Sequence, residues 1–398
     1  MRTWLLLAIY VGGGSSSSAP LASKFTSFPG RPDWPIHYTV TGQEDAPPLL
    51  LLPGFGVGTF HWERQMDALS ERYRVFSMDL LGQGKSWPTS TTGLCYSSQL
   101  WVDQIHHFCE EVVASPVHVA GNSLGGFLSV AAASSRPDLF KSLILLNAAP
   151  FWGFASPEGQ ERSFPFTLWN GTLPAPENVL QFGSAYFNTM KSRTTVETML
   201  SGVYKQRSAF DDQLVSDIVA SASPPGSGGQ EAFTSILFSP RFGRTFDEML
   251  CSPELESLPT CLVYGKDDPW IVPYWAQRAI KGLRGRAAYL EIEGSGHCPH
   301  HESPLAVNKI ITAWVSLIEA EREAKGGLGV AGRGAGPLAQ HPSLAALEGE
   351  YLEPITKSKV TVRLRDGQPQ TLWERVMRAW DSISAPAPAP ARGPAPGP

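Results

Sequence analysis

Three residues of this chain, Ser123, Asp268 and His297, have the types, order and settings that nucleophilic attack on an acyl group requires. Ser123 is the centre of Gly121-Asn122-Ser123-Leu124-Gly125, a G-x-S-x-G sequence between the apolar run 117–120 and the helix-like stretch 127–135. A turn sharp enough to pass directly from strand to helix strains the serine, and the positions two residues to either side must be small. A serine hydroxyl is a weak nucleophile at neutral pH and needs a base that is itself oriented by a carboxylate. In the order Ser, acid, His, the acid falls in the segment 263–270, where Asp267 and Asp268 compete. The G-x-x-D-P spacing from Gly265 to Pro269 selects Asp268, with Asp267 as a solvated neighbour. The base is His297, in the small-residue loop 294–299.

A tetrahedral intermediate also needs donors fixed in advance. One backbone N–H comes from the residue after the nucleophile, Leu124, and the second from the loop 52–58, where Phe55 is the expected position. The segment Asp79 to Ser86 matches a D-x-x-G-x-G-x-S turn and reads as architecture. His106 and His107 fall in a helical pattern, His118 in a strand, and His300 and His301 just beyond the His297 loop, so structural roles are expected for all five. An aspartate at the position of Ser123 would suggest a dehalogenase or an epoxide hydrolase; serine argues for an acyl-enzyme. Without an H-E-x-x-H motif or a carboxylate cluster, neither metal nor cofactor is expected.

The elements that must position these residues alternate. Apolar runs at 36–40, 49–52, 75–78, 117–120 and 143–146 are interleaved with helical patterns, and the rhythm resumes at 261–264 and 288–292. Such alternation predicts an α/β fold with a mostly parallel central sheet flanked by helices. Runs apolar at every position suit strands buried on both faces. The stretch 151–258 has no comparable run and is rich in aromatics, among them Phe151, Trp152, Phe154, Phe164, Phe166, Trp169, Phe182, Tyr186, Phe187, Tyr204 and Phe210. It reads as a helical cap inserted over the site, most of its aromatics forming its own core and the rest lining an apolar pocket. The expected division is a leader at 1–30, core at 31–150, cap at 151–258, core again at 259–324, and a Gly/Pro-rich, largely disordered tail at 325–398 with a short amphipathic helix near 372–383.

Composition narrows the partners. Of 398 residues, 42% are hydrophobic and 17% charged, enough to bury a large core, and a formal net charge of −5 gives no reason to expect nucleic acid. The five cysteines, Cys95, Cys109, Cys251, Cys261 and Cys298, show no paired spacing and suggest reduced, mostly buried thiols. Residues 1–11 join one positive charge to a short apolar run, as in a secretory or organelle-targeting leader, though an incomplete gene start would look the same. The run falls far short of the roughly 20 apolar residues that span a bilayer. No oligomeric state is indicated.

Five segments together, 52–62, 121–126, 146–154, 264–270 and 296–300, resemble the pheophytinases, chloroplast pheophytin hydrolases of plants and algae within the α/β-hydrolase superfamily. The similarity runs from about Pro35 to Ile318. It implies the α/β-hydrolase fold with a helical cap, a plastid location, and cleavage of the phytyl ester of pheophytin to pheophorbide and phytol during chlorophyll breakdown. It implies the triad Ser123, Asp268 and His297, oxyanion donors at Phe55 and Leu124, a small lipophilic substrate, and compatibility with peripheral association at the thylakoid or another membrane. The chain departs from the family where His300-His301-Glu302 stands in place of His-Asp-Glu, and where Pro53-Gly54 stands in place of the His-Gly of many wider relatives. Two other readings share these motifs. One is a carbon–carbon bond hydrolase of ring-cleavage products, which would want an arginine-lined pocket, with Arg193 and Arg207 the cap's candidates; the other is a non-catalytic receptor of the same fold.

Overall fold

Every apolar run becomes a strand of one ten-stranded sheet in the computed structural model, which describes residues 21–150, 166–222, 224, 226, 228–240, 242–283, 285–324, 338 and 341–366. The strands are β1 (Lys24–Phe28), β2 (Arg31–Thr41), β3 (Pro48–Leu52), β4 (Arg74–Met78), β5 (Val117–Asn122), β6 (Phe140–Leu146), β7 (Thr260–Gly265), β8 (Ala287–Glu293), β9 (Gly349–Leu352) and β10 (Lys359–Arg365). They lie in the order β1-β2-β4-β3-β5-β6-β7-β8-β10-β9. Strands β3 to β8 run parallel, while β2 joins β4, and β10 joins β8, antiparallel.

Alternate side chains of the central strands feed two separate cores. Leu50, Leu52, Leu143 and Leu145 enter one; Leu49, Leu51, Ile144 and Leu146 enter the other. This two-sided burial is why the runs show no polar alternation. The first core is closed by α2 (Ser98–Phe108), α3 (Leu124–Ser135), α8 (Phe246–Leu250) and α9 (Tyr274–Gly282). The second is closed by α1 (Glu63–Leu69), α11 (Pro304–Ala324) and α12 (Pro342–Ala345). A four-residue helix, α10 (Pro299–Glu302), leads into α11. Cys109, Cys261 and Cys298 are buried free thiols, Cys251 is exposed, and Cys95 is half-buried.

Between β6 and β8's neighbour β7 the chain forms α4 (Glu177–Met190), α5 (Arg193–Val203), α6 (Asp212–Ser221) and α7 (Gly228–Phe238), then returns to the main core through α8. Phe187, Phe233 and Phe238 pack with Val179 and Leu237 into a small core of this inserted layer. Phe151, Trp152, Phe154 and Phe164 lie outside the described residues, as do residues 1–20 and the helix expected near 372–383.

Both ends differ from the sequence expectation. Residues 24–28, assigned to the leader, pair with β2 as an edge strand. Part of the expected disordered tail is ordered: β10 pairs with β8, sends Val360 and Val362 into the second core, and carries β9 beyond it. The period-2 alternation of Val360, Val362 and Leu364 is the strand signal, surrounded by glycine- and proline-rich sequence that hides it. The hairpin is clamped twice. Arg365 pairs with buried Glu291 at 2.7 Å, and fully buried Glu353 accepts from the Leu305 and Ala306 N–H groups in the first turn of α11, at 2.9 and 3.0 Å. Replacing Glu353 by Gln sets an NH2 group against one of those donors and leaves it unsatisfied, a loss of about 1–3 kcal/mol. A lower urea midpoint for E353Q, with unchanged m-value, is the expected result; an unchanged midpoint would show that the hairpin is not clamped to α11.

Candidate active site

The serine turn is built where two backbones nearly touch. Ser123 lies at φ 53° and ψ −115°, a region that a residue with a Cβ occupies only when its surroundings impose it. A Cβ on Gly121 would sit 2.3 Å from the Gly125 carbonyl oxygen, and one on Gly125 would sit 2.3 Å from that of Leu52. The two motif glycines are therefore required by the close approach of the turn to itself and to β3. The strained serine is fixed by its N–H to the Leu146 carbonyl, and its own carbonyl accepts from Ala149, both at 3.0 Å. Leu124 opens α3, where the first N–H groups have no acceptor inside the helix.

Asp268 follows β7 and is saturated with donors. Its Oδ1 accepts from the Trp270 and Ile271 N–H groups at 2.8 and 3.1 Å, and its Oδ2 from Asn147 Nδ2 at 2.8 Å. The remaining partner of Oδ2 is His297 Nδ1 at 2.7 Å. Of the two candidate acids, geometry brings Asp268 to the imidazole. Asp267 is exposed and takes the Gly294 N–H and Lys205 Nζ instead. Asn147 went unnoticed in the sequence. It sits at the end of β6, beside β7, and its Oδ1 also accepts from the Gly265 N–H at 2.8 Å, so it orients the acid and its loop together.

The His297 loop is tied to the core and to the inserted layer. Asn122 Nδ2 donates to the His297 carbonyl at 3.0 Å, and the His297 N–H donates to the Val203 carbonyl at 3.0 Å. Glu302 joins the same two parts, accepting from Gly296 N–H at 2.9 Å and Gln206 N–H at 2.8 Å. Burial pushes its carboxyl up to about 8 against the opposing pull of these N–H groups.

Ser123 and His297 open onto one cavity of about 370 Å³, with Gly54 and Phe55 from the loop after β3 on the same wall. Leu124 is buried behind the turn and Asp268 behind the imidazole. The inserted layer contributes mostly aliphatic surface, including Met190, Met199, Leu200, Val203 and Ile218, with Phe187, Tyr204 and Phe233 as its aromatic contribution. Lys191 is the one Lys or Arg among the described lining residues. Arg193 pairs with Glu197 and Asp212 on the exposed surface.

Beneath the His297 loop lies a layer of buried imidazoles. His61 Nε2 meets the Tyr204 hydroxyl at 2.8 Å, its Nδ1 lies 3.3 Å from His300 Nε2, and the indole of Trp62 stacks on His300 at 4.1 Å. His301 lies over His61 at 4.9 Å, and Arg64 donates to the His301 carbonyl. Burial drives all three imidazoles down, His61 to about 3, so each is neutral at pH 7. His106, His107 and His118 are spent on the Ala132 carbonyl, the Ser27 carbonyl, and Ser142 with Glu319. A second serine, histidine and aspartate array, Ser23, His37 and Asp79, has contacts of 3.0 and 2.7 Å, yet none of the three lines the cavity. Asp79 also accepts from the Thr59 and Lys85 N–H groups, fastening the loop after β3 to the turn after β4. Among the described residues no cluster of His, Cys, Asp and Glu could hold a metal ion, and no helix is long and apolar enough to cross a membrane.

Comparison with known proteins gives the same lineage throughout. The chain is 36% identical over 321 residues to the chloroplastic pheophytinase of Arabidopsis thaliana, covering 73% of this chain and 66% of that protein, just under two thirds of its length. It is 28% identical over 286 residues to Lipase 1 of Psychrobacter immobilis, covering 72% of this chain and 82% of the lipase. A solved lipase structure from Acinetobacter baumannii superposes with a TM-score of 0.58 at 19% identity, over 75% of this chain and 92% of that one. The model of the alpha/beta hydrolase family matches residues 49–310. With that match spanning most of the chain, and with the sheet order and serine turn described above, the protein belongs to the alpha/beta hydrolase family.

Proposed function

We propose that this protein is a serine carboxylic ester hydrolase that cleaves the phytyl ester of pheophytin, giving pheophorbide and phytol. The observation that carries the reading is the meeting of Ser123 and His297 on one apolar cavity, with His297 Nδ1 bonded to Asp268. The similarity to pheophytinase supports the choice of ester. In this scheme Ser123 Oγ attacks the propionate carbonyl while His297 Nε2 takes its proton. The Asp268 carboxylate fixes the imidazole's tautomer and stabilises the imidazolium. The oxyanion is held by the Phe55 and Leu124 N–H groups. Collapse breaks the carbon–oxygen bond, and His297 gives its proton to the departing phytol oxygen. Water, deprotonated by the same imidazole, then attacks the acyl-enzyme, releasing pheophorbide and restoring Ser123.

The cavity chemistry favours a neutral lipophilic ester over the anionic dienones of carbon–carbon bond hydrolases. Burying a carboxylate in an apolar space is costly without a paired cation, and Lys191 is the single such side chain on the lining. A plastid location, and work at a membrane surface where such pigments partition, belong to the same reading and rest on the relative's name and the substrate's solubility.

Incubated with pheophytin, the purified protein should release pheophorbide and phytol, and a fluorophosphonate probe should label it. S123A should lose the label, and S123A and D268N should both lose at least about 10³–10⁴ in kcat. Labelling without turnover of pheophytin or any other ester would instead favour a receptor, and turnover of short esters alone would remove the pigment assignment.

The imidazole layer under His297 generates a pH dependence. Histidines with depressed pKa in the folded state, and ordinary values near 6.5 when unfolded, stabilise fully above pH 6.5 and lose that contribution as pH falls toward their folded values. Each contributes a slope of up to about 1.4 kcal/mol per pH unit over that range. H301F keeps a ring against His61 and removes one such group. Urea unfolding between pH 6 and pH 4 should therefore give H301F a shallower acid loss of stability, by up to one proton; equal slopes would mean that His301 titrates alike in both states.

A further inference from the structure

The wall of the cavity carries a buried donor that the ester-cleavage scheme leaves unused. Gln83, in the turn after β4, is 4% exposed and lines the cavity beside Gly54, Phe55 and Gly56. Its Oε1 accepts from the Gly56 N–H. A backbone N–H can bond only the carbonyl end of an amide, so this contact fixes which way the side chain faces. The other end, Nε2, is buried and has no acceptor among the described residues. An amide donor enclosed without an acceptor is costly, and the lining around it is mostly apolar. Resting on the reading of this cavity as an ester-binding site, we propose that Gln83 is a specificity-determining residue whose Nε2 donates to a second, neutral carbonyl oxygen of the substrate, close to the ester that Ser123 attacks.

The chemistry of the donor selects the partner. A neutral amide in an apolar cavity matches a ketone or ester carbonyl, whereas a carboxylate would bring a charge that, among the described lining residues, Lys191 alone could balance. Gln83 thus joins two tasks in one side chain: Oε1 braces the loop that carries Phe55, and Nε2 faces the substrate. The first affects all esters alike, and the second only those with a further carbonyl in reach.

That difference is measurable. The probes are p-nitrophenyl decanoate and the 4-, 5- and 6-oxodecanoates, which differ by one ketone, assayed with the full chain and with Q83M, which keeps the length of the side chain and has no donor. Wild type should favour at least one oxo ester over decanoate by about three- to tenfold in kcat/KM, the worth of one hydrogen bond, and the ratio should fall to within about twofold of unity in Q83M. Turnover of decanoate with no oxo preference in wild type, or a preference that survives in Q83M, overturns the assignment of Gln83 and leaves the ester reading standing. No turnover of any of the four esters by wild type overturns both.

Discussion

The site depends on one close approach, the backbone of the serine turn against the end of β3. With no side chain on Gly125, its Cα sits where a Cβ would strike the Leu52 carbonyl, and that distance sets the loop of Pro53 to Gly58 beside Ser123. The proposed nucleophile and a proposed oxyanion donor are therefore placed by a single steric contact between the turn after β5 and the end of β3. Strain at Ser123 is the consequence, and it is offset by hydrogen bonds to Leu146 and Ala149 at the end of β6. Central strands buried on both faces give this arrangement its stiffness, because neither β3 nor β5 can shift without disturbing two cores at once.

The proposed acid and base are positioned by a second set of bonds that radiate from the ends of neighbouring strands. Asn147 and Asn122 both stand at strand ends, one holding Asp268 and the other the His297 carbonyl. Glu302 and the Val203 carbonyl extend the network into the inserted layer, so the loop that carries the imidazole is shared by core and cap. A change in the cap near Val203 to Gln206 can thus reach His297 through backbone hydrogen bonds, with no contact to the reacting atoms.

Much of this was legible in residue patterns, for physical reasons that also explain the omissions. Largely apolar runs located seven strands because two-sided burial leaves few polar positions, and glycine spacing located the serine turn because nothing larger fits. Asn147, His61 and Gln83 were passed over since a lone polar residue carries no periodicity; their roles come from partners far away in sequence, such as Asp268 and Tyr204. Strand β10 was hidden by its glycine- and proline-rich surroundings, although Val360 and Val362 alternate as a half-buried strand must. Several of the cap's aromatics pack on each other, and aliphatic residues of α4 to α6 face the cavity.

The histidine-rich segment after His297 shows how a departure from a family pattern can be absorbed by packing. An aspartate at position 301 would bring a negative charge near Arg64, whereas His301 brings a ring that lies on His61 and meets Tyr204 edge-on. Three imidazoles crowded together would repel if charged, and burial removes the charge instead. The layer then behaves as an aromatic floor, with His300 stacked on Trp62 and its backbone carbonyl bonded to Gln65. Neutral rings leave the Asp268 carboxylate as the charged partner of His297 described at hydrogen-bond distance, available to stabilise the imidazolium that the proposed ester cleavage would form.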